Sequence, residues 1–227
     1  MDDFQSPILE PATHFVDTQV KENILELERG EQISLYHRLD HPSIAKQVIR
    51  LVFGLLGQLQ LQQGITLKLV PMAKRPLVQG GTCVQWEQEA SASPLSIFFP
   101  PNEAVEFELG QMPAGTQSDQ LYVPYSTTNR VAFHSFIVTG GVFYIFQTAT
   151  WRPYKPESVH DIDKGIEDFF SEKVLHALPP KAMWRLVFLV RPGKKIVSQG
   201  KSAVEKFLTG VTLFTAELDL EKWKSKA

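Results

Sequence analysis

The segment 129–150, NRVAFHSFIVTGGVFYIFQTAT, constrains the fold more than any other part of the chain. It contains two runs rich in β-branched and aromatic residues, and Gly140-Gly141 lies between them. A glycine pair in this position is typical of a β-hairpin, and the apolar run 142–146 predicts a strand buried on both faces. Hairpin pairing would place His134 and Gln147 on neighbouring strands near one end of a sheet.

Length and composition favour a single globular domain. The chain has 227 residues, of which 43% are hydrophobic, so it contains enough apolar material for one large core. We expect an N-terminal extension over residues 1–23 and one domain over residues 24–227. The acidic start lacks the features of a signal peptide, no apolar run is long enough for a membrane span, and the single Cys83 excludes an intrachain disulfide. These features predict an intracellular protein with no membrane partner.

The net charge of -2 conceals an uneven distribution of charge. Residues 181–227 contain ten Lys or Arg and four Asp or Glu, a balance of +6, which leaves 13 basic and 21 acidic residues, a balance of -8, in residues 1–180. A basic segment can draw a phosphate backbone towards one face of an acidic protein. The cations that we predict to contact nucleic acid are Arg191, Lys194, Lys195 and Lys201. Ordinary solvation of a lysine-rich surface is the equally weighted alternative.

The pattern along the chain predicts an α/β fold with a central sheet flanked by helices. Apolar residues at three- and four-residue spacing predict helices at 43–63 and 162–174. Residues 184–190, WRLVFLV, predict a third buried strand, so a helix crosses over between it and the hairpin. We also expect extended structure at 24–39, strands at 65–70, 82–87, 95–99 and 105–109, a short helix at 201–208 and an edge strand at 211–218.

Several spaced signals then resemble one family. They are Tyr122-Val123-Pro124 followed by Asn129, the strands VAFHSFI and FYIFQTA, His160 ahead of a helix, and a later strand ending in LVRP. Over residues 122–192 they resemble the nuclease-like C-terminal domain of Crinkler effectors and of retrotransposon hot spot proteins. That domain is similar in fold to restriction endonucleases of the PD-(D/E)xK type. The resemblance therefore implies a restriction-endonuclease-like mixed sheet, and an effector that acts in the nucleus or cytoplasm, including those of a host cell.

The resemblance also implies a catalytic motif, from which this chain departs. Nucleases of this fold hold Mg²⁺ with acidic oxygens, and the ion activates water and stabilises charge on the phosphate. His134 stands at the position of the family's aspartate, Gln147 stands at the second ligand position, and Ala149 replaces a lysine. The predicted helix at 43–63 contains no acid that could supply a further ligand. Imidazole is a poor ligand for magnesium and an amide brings no charge, so the motif is degenerate.

The candidate catalytic residues are His134, Gln147 and Lys164. Lys164 could reach from the predicted helix in place of the missing lysine, and His134 could act as a general base near neutral pH. Mg²⁺ or Mn²⁺ held by His134 and Gln147 is expected only if the protein is active. We favour the alternative that His134 is a core or cleft histidine satisfied by a neighbouring backbone group. Trp151, which follows the second hairpin strand, is a candidate for stacking on a nucleic-acid base.

Three functions remain open. The favoured one is a nuclease-like domain that cleaves weakly or not at all, needs no cofactor, and binds DNA, RNA or a host or cellular protein. The second is an active metal-dependent endonuclease with a rearranged site at His134, Gln147 and Lys164. The third is a protein-interaction module with no role in nucleic-acid binding, which the acidic balance of the whole chain favours. The sequence predicts no particular oligomeric state.

Overall fold

The apolar runs of the sequence form the strands of one large sheet. The computed structural model describes residues 14–39, 46–76, 83–89, 91–108, 116–125, 134–148, 178–193, 197–201 and 210–224. Within these residues, ten strands belong to the sheet. In chain order they are β1 (Ile65–Pro76), β2 (Cys83–Gln88), β3 (Leu95–Phe99), β4 (Ala104–Glu108), β5 (Leu121–Tyr125), β6 (Ser135–Thr139), β7 (Val142–Thr148), β8 (Trp184–Val190), β9 (Val197–Lys201) and β10 (Thr212–Glu217).

The sheet is mixed, and its centre is parallel. Nine of the strands in the described part of the chain follow the order β4-β5-β6-β7-β8-β10-β1-β2-β9, while β3 pairs with β1 off this path. β7, β8 and β10 run parallel to one another, whereas β6 is antiparallel to β7 and β1 is antiparallel to β10. Parallel neighbours need a long crossover connection, which agrees with the distance in sequence between β7 and β8.

β6 and β7 form the predicted hairpin. Their register pairs Ser135 with Phe146 and Thr139 with Val142. The turn is made by Gly140 and Gly141, which have φ angles of 56° and 75°. Positive φ at both central positions is characteristic of the type I′ turn, whose twist matches that of the flanking strands. Glycine adopts this backbone conformation without a steric cost, so the hairpin prediction from the glycine pair is confirmed.

Residues 211–218 contain the predicted strand, β10, but the prediction that it lies at an edge of the sheet is wrong. This strand lies inside the sheet between β8 and β1, and its residues 213–216 are all buried. The threonines of the segment do not prevent burial. Thr215 is 1% exposed, and its hydroxyl accepts a hydrogen bond of 2.7 Å from the side-chain amide of Gln88. A buried hydroxyl with such a partner is compatible with a central strand.

Four helices lie in the described residues: α1 (His14–Glu26), α2 (Arg29–Leu39), α3 (Lys46–Gln62) and α4 (Leu220–Lys224). α3 confirms the helix predicted at 43–63. The extended structure predicted at 24–39 is wrong, because these residues belong to α1 and α2. Ile33 and Tyr36 are both buried, and their three-residue separation places them on one face of a helix. α1 crosses the boundary predicted after residue 23, and its Lys21 pairs with Glu106 of β4.

Two apolar clusters cover the opposite faces of the sheet. The first lies against α2 and α3 and includes Phe146, and the second includes Phe136 and Phe143. In the second cluster the rings of Tyr122 and Phe136 stack with centroids 4.9 Å apart, and those of Phe143 and Trp184 meet edge to face at 5.0 Å. These contacts hold β5, β6, β7 and β8 together and so fix the position of the hairpin.

Most other strand predictions are confirmed, and two helix predictions lie outside the described residues. β1, β2, β3, β4 and β8 correspond to the strands predicted at 65–70, 82–87, 95–99, 105–109 and 184–190. The predicted helix at 162–174 falls within residues that the structure does not describe. The same holds for the predicted helix at 201–208, apart from Lys201 in β9.

Candidate functional site

His134 lies directly before β6 and connects the hairpin to α3. Its backbone N–H donates a hydrogen bond of 2.8 Å to the carbonyl of Phe146 in β7. Its own carbonyl accepts a hydrogen bond of 2.8 Å from the side-chain amide of Gln58 in α3. His134 is therefore held from both sides by its backbone, before its ring makes any contact.

The imidazole ring of His134 is bound by Thr148, the last residue of β7. The backbone N–H of Thr148 donates to Nδ1 of the ring at 3.1 Å, and the threonine hydroxyl lies 3.2 Å from both ring nitrogens. An N–H donor requires a lone pair on Nδ1, so the neutral ring carries its proton on Nε2. In this tautomer the ring has no lone pair left for a metal ion or for accepting a proton from water.

A glycine in α3 makes room for this ring. A Cβ atom at Gly54 would lie 2.9 Å from Cδ2 and 3.1 Å from Nε2 of His134, closer than side chains normally pack. One turn later, a Cβ at Gly57 would lie 3.0 Å from Cδ1 of Leu218 and 3.8 Å from Cγ2 of Thr148. The two glycines let α3 approach the ends of β7 and β10 closely. This signal was present in the sequence, because glycine is unfavourable inside a helix unless it has a packing role.

Gln147 points to the other face of the sheet. Side chains alternate along a strand, and Phe146 belongs to the cluster beneath α3 whereas Ile145 belongs to the opposite cluster. Gln147 therefore shares the face of Ile145, and its parallel neighbour Phe188 lies in the same cluster. The Gln147 side chain is buried there, with 4% of its surface exposed.

A bend at His134 separates the two predicted ligands. In a regular strand His134 would face the same way as Phe136, which lies in the cluster on the side of Gln147. The chain instead bends at His134, and the ring lies against Gly54 of α3. The backbones of His134 and Gln147 thus lie next to each other where the two hairpin strands pair, but their side chains lie on opposite faces of the sheet.

This arrangement does not fit a magnesium ion bound between His134 and Gln147. Mg²⁺ requires oxygen ligands in a nearly octahedral arrangement, and the two side chains do not converge on one point. Among the residues that the structure describes, no group of three or more His, Cys, Asp or Glu side chains is placed to hold a metal ion. What the described residues of the site form is a packing contact between α3 and the hairpin.

The predicted nucleic-acid contacts are only partly described. Arg191, which follows β8, is half-buried, and its guanidinium lies 5.0 Å from the ring centre of Tyr36 in α2. This cation–π contact engages Arg191 with α2 and limits its reach towards a phosphate. The backbone of Lys201 belongs to β9. Trp151, Lys164, Lys194 and Lys195 lie outside the described residues.

An acidic side chain that the sequence did not single out lies near the end of β8. The backbone N–H of Gly193 donates to Oε1 of Glu217 at 2.9 Å, which ties the turn after β8 to the end of β10. Glu217 is exposed. A carboxylate here opposes the attraction of a phosphate to this turn.

The fold and the site together define a mixed α/β protein whose hairpin and covering helix are locked by a histidine. Comparison of the chain with protein-family models, with curated proteins and with solved structures finds no match. No helix in the described part of the chain is long and apolar enough to cross a membrane.

Proposed function

We propose that this chain is a restriction-endonuclease-like domain of the Crinkler type that has lost efficient catalysis and acts by binding, inside the nucleus or cytoplasm of a cell. The order of its elements supports this proposal. The β6–β7 hairpin leads through a long connection to β8, which runs parallel to β7. The resemblance over residues 122–192 implies the same order.

The contact between His134 and Thr148 is the observation that carries the proposal. An enzyme of this class needs a ligand or a base at this position, and both require an available lone pair on the ring. The Thr148 N–H engages Nδ1 at 3.1 Å, and the edge of the ring that carries Nε2 lies against Gly54. A lone pair on Nε2 would require the other tautomer of His134. In that tautomer the Nδ1–H of the ring and the backbone N–H of Thr148 would point at each other.

A cleavage assay tests the loss of catalysis. The purified chain is incubated with plasmid DNA and with single-stranded RNA in Mg²⁺ or Mn²⁺, beside the variants His134→Ala and Gln147→Ala. We expect weak or no cleavage, and any residual cleavage should be the same in all three proteins because it comes from a contaminant. Robust cleavage that either substitution abolishes would instead establish the active endonuclease with a rearranged site.

Nucleic acid is the first binding partner to test, because the basic balance of residues 181–227 supports it. Retention of labelled duplex DNA and single-stranded RNA is measured over a range of salt concentrations. We expect Lys194→Glu combined with Lys195→Glu to weaken retention and to reduce its salt dependence. The matched control is Lys21→Glu with Lys68→Glu, which changes the net charge equally outside the basic segment. If both double variants lose nucleic-acid retention equally, net charge alone, and not this segment, governs binding. If the unaltered chain retains no nucleic acid, a protein partner is favoured.

A further inference from the structure

Among the described strands, β3 is an open edge of the sheet. In the part of the chain that the structure describes, β3 pairs with β1 alone, so its second edge carries backbone groups with no strand beside them. Natural proteins usually protect such an edge with charged side chains, because an open edge accepts further strands. Residues 91–102, SASPLSIFFPPN, contain no charged residue at all. Pro94, Pro100 and Pro101 flank β3, and the five residues of the strand itself carry neither a charge nor a proline.

Two large apolar side chains of β3 are also exposed to solvent. Phe98 is 60% exposed and Leu95 is 49% exposed, the two highest values among the large hydrophobic side chains of the described residues. Phe98 pairs with Thr66 of β1, and Ser96 pairs with Lys68, so these four side chains share the outward face. Thr66, Ser96 and Lys68 are exposed as well.

Lys68 gives this face its charge. Within the described residues it forms no ion pair, and it stands one strand away from the open edge. A strand added beside β3 would place its side chains about 10 Å from those of β1, because neighbouring strands are about 4.8 Å apart. The extended side chains of a lysine and a glutamate can span this distance across the small Ser96.

We propose that β3 accepts an extended peptide of a protein partner as an additional strand. The peptide places an apolar side chain beside Phe98 and, two residues away on the same face, an acidic side chain beside Ser96 that pairs with Lys68. Backbone hydrogen bonds supply the affinity of such an interaction, and the side chains supply its specificity. A second copy of this chain fits less well, since two exposed apolar side chains fall far short of the roughly 800 Å² that each partner in a stable dimer buries.

The inference does not depend on the proposed function. The peptide would bind along the outer edge of β3 and beside Phe98, whereas the buried Phe99 of the same strand packs against Phe146 of β7 on the inner face. A protein that cleaves nucleic acid could carry the same docking edge. The two proposals therefore fail independently, one in a cleavage assay and the other in a peptide-binding assay.

A charge-swap experiment tests the proposal. Two labelled synthetic peptides, Thr-Ile-Val-Thr-Glu-Ile-Thr and the same peptide with Lys in place of Glu, are titrated with the full chain at low salt, and binding is followed by fluorescence anisotropy. We expect the chain to bind the Glu peptide about fivefold more tightly than the Lys peptide, the ratio expected for one partly exposed ion pair. Lys68→Glu should reverse this preference. Phe98→Ser should weaken binding of both peptides and leave the urea midpoint nearly unchanged, because Phe98 is largely exposed and serine adds no charge.

Three outcomes would overturn the inference. The first is that neither peptide binds at millimolar concentration. The second is that Lys68→Glu leaves the preference between the peptides unchanged, since the acidic residue would then have no role. The third is a dimer in sedimentation analysis that Phe98→Ser dissociates, which would assign the edge to a second copy of the chain.

Discussion

Replacing Gly54 by alanine tests whether the His134 ring locks α3 to the hairpin. In most exposed helical positions this change stabilises a protein by about 1 kcal/mol, because alanine is the better helix former. At Gly54 the new Cβ would stand 2.9 Å from Cδ2 of His134, so the ring must move. The outcome depends on which of these two effects is larger.

The cost of moving the ring follows from its hydrogen bond. Thr148 is fully buried, so displacement of the ring leaves its N–H without the bond to Nδ1. An unsatisfied buried donor costs about 1–3 kcal/mol. The gain in helix propensity offsets about 1 kcal/mol of this cost. We therefore expect Gly54→Ala to lower the free energy of unfolding by about 1 kcal/mol. His134→Ala removes the obstruction, so in that background Gly54→Ala should stabilise the protein by about 1 kcal/mol.

A double-mutant cycle measures this change of sign. Urea unfolding of the unaltered chain, the two single variants and the double variant gives the coupling between Gly54 and His134, which we expect to be about 1–3 kcal/mol. Gly57→Ala is the matched control, because its Cβ would meet the movable methyl group of Leu218 at 3.0 Å and the methyl group of Thr148 only at an ordinary contact distance of 3.8 Å. Its coupling to His134 should stay below about 0.5 kcal/mol. If Gly54→Ala stabilises the protein equally with and without the ring, His134 does not lock the helix.

Substitutions at three further positions test the fold. Asp219→Ala should lower the free energy of unfolding by about 1 kcal/mol at pH 7, because its carboxylate accepts a hydrogen bond of 3.1 Å from the Lys222 N–H at the start of α4. That bond, aided by the Lys222 ammonium, lowers the pKa of Asp219. The difference in unfolding free energy between the unaltered chain and Asp219→Ala, measured by urea titration, should therefore be present above about pH 4 and shrink as the pH falls below it. Burial raises the pKa of Tyr144, against a weaker opposite effect of Arg185. Stability should therefore fall as the pH rises above about 10, and Tyr144→Phe should remove part of that dependence; an unchanged alkaline profile would contradict the assignment. Gly141→Ala should cost about 1 kcal/mol in thermal unfolding because φ is 75°, and Gly141→Asn should cost less.

Local patterns predicted the elements whose own sequence carries the signal. The glycine pair at 140–141 determines the hairpin, and the periodicity of 43–63 predicts α3, because both signals act over a few residues. Residues 24–39 were misassigned since Ile33 and Leu35 satisfy strand alternation while Ile33 and Tyr36 satisfy helical spacing. Burial of Ile33 and Tyr36 together decides for the helix, and burial depends on the rest of the fold.

Longer-range features could not be obtained from the sequence. β10 is interior only because β1 pairs with it, and those strands are far apart along the chain. The orientation of His134 depends on a bend immediately before β6, which breaks the alternation that would have placed it with Gln147. Alternation over a strand is reliable only between its ends, and functional positions often lie at the ends. Hairpin pairing thus placed His134 and Gln147 on neighbouring strands, while the faces on which their side chains lie required the structure.

The features around His134 explain one another. The His134 ring can lie against α3 because Gly54 has no side chain at the point of contact. One turn later, Gln58 of the same helix donates a hydrogen bond to the His134 carbonyl. An aspartate at this position would be too short to fill the space beside Gly54, and its charge would be costly between the helix and the sheet. His134 therefore makes three contacts at once, with the Thr148 N–H, with Gln58 through its carbonyl and with the space beside Gly54, and together they pack α3 onto the hairpin.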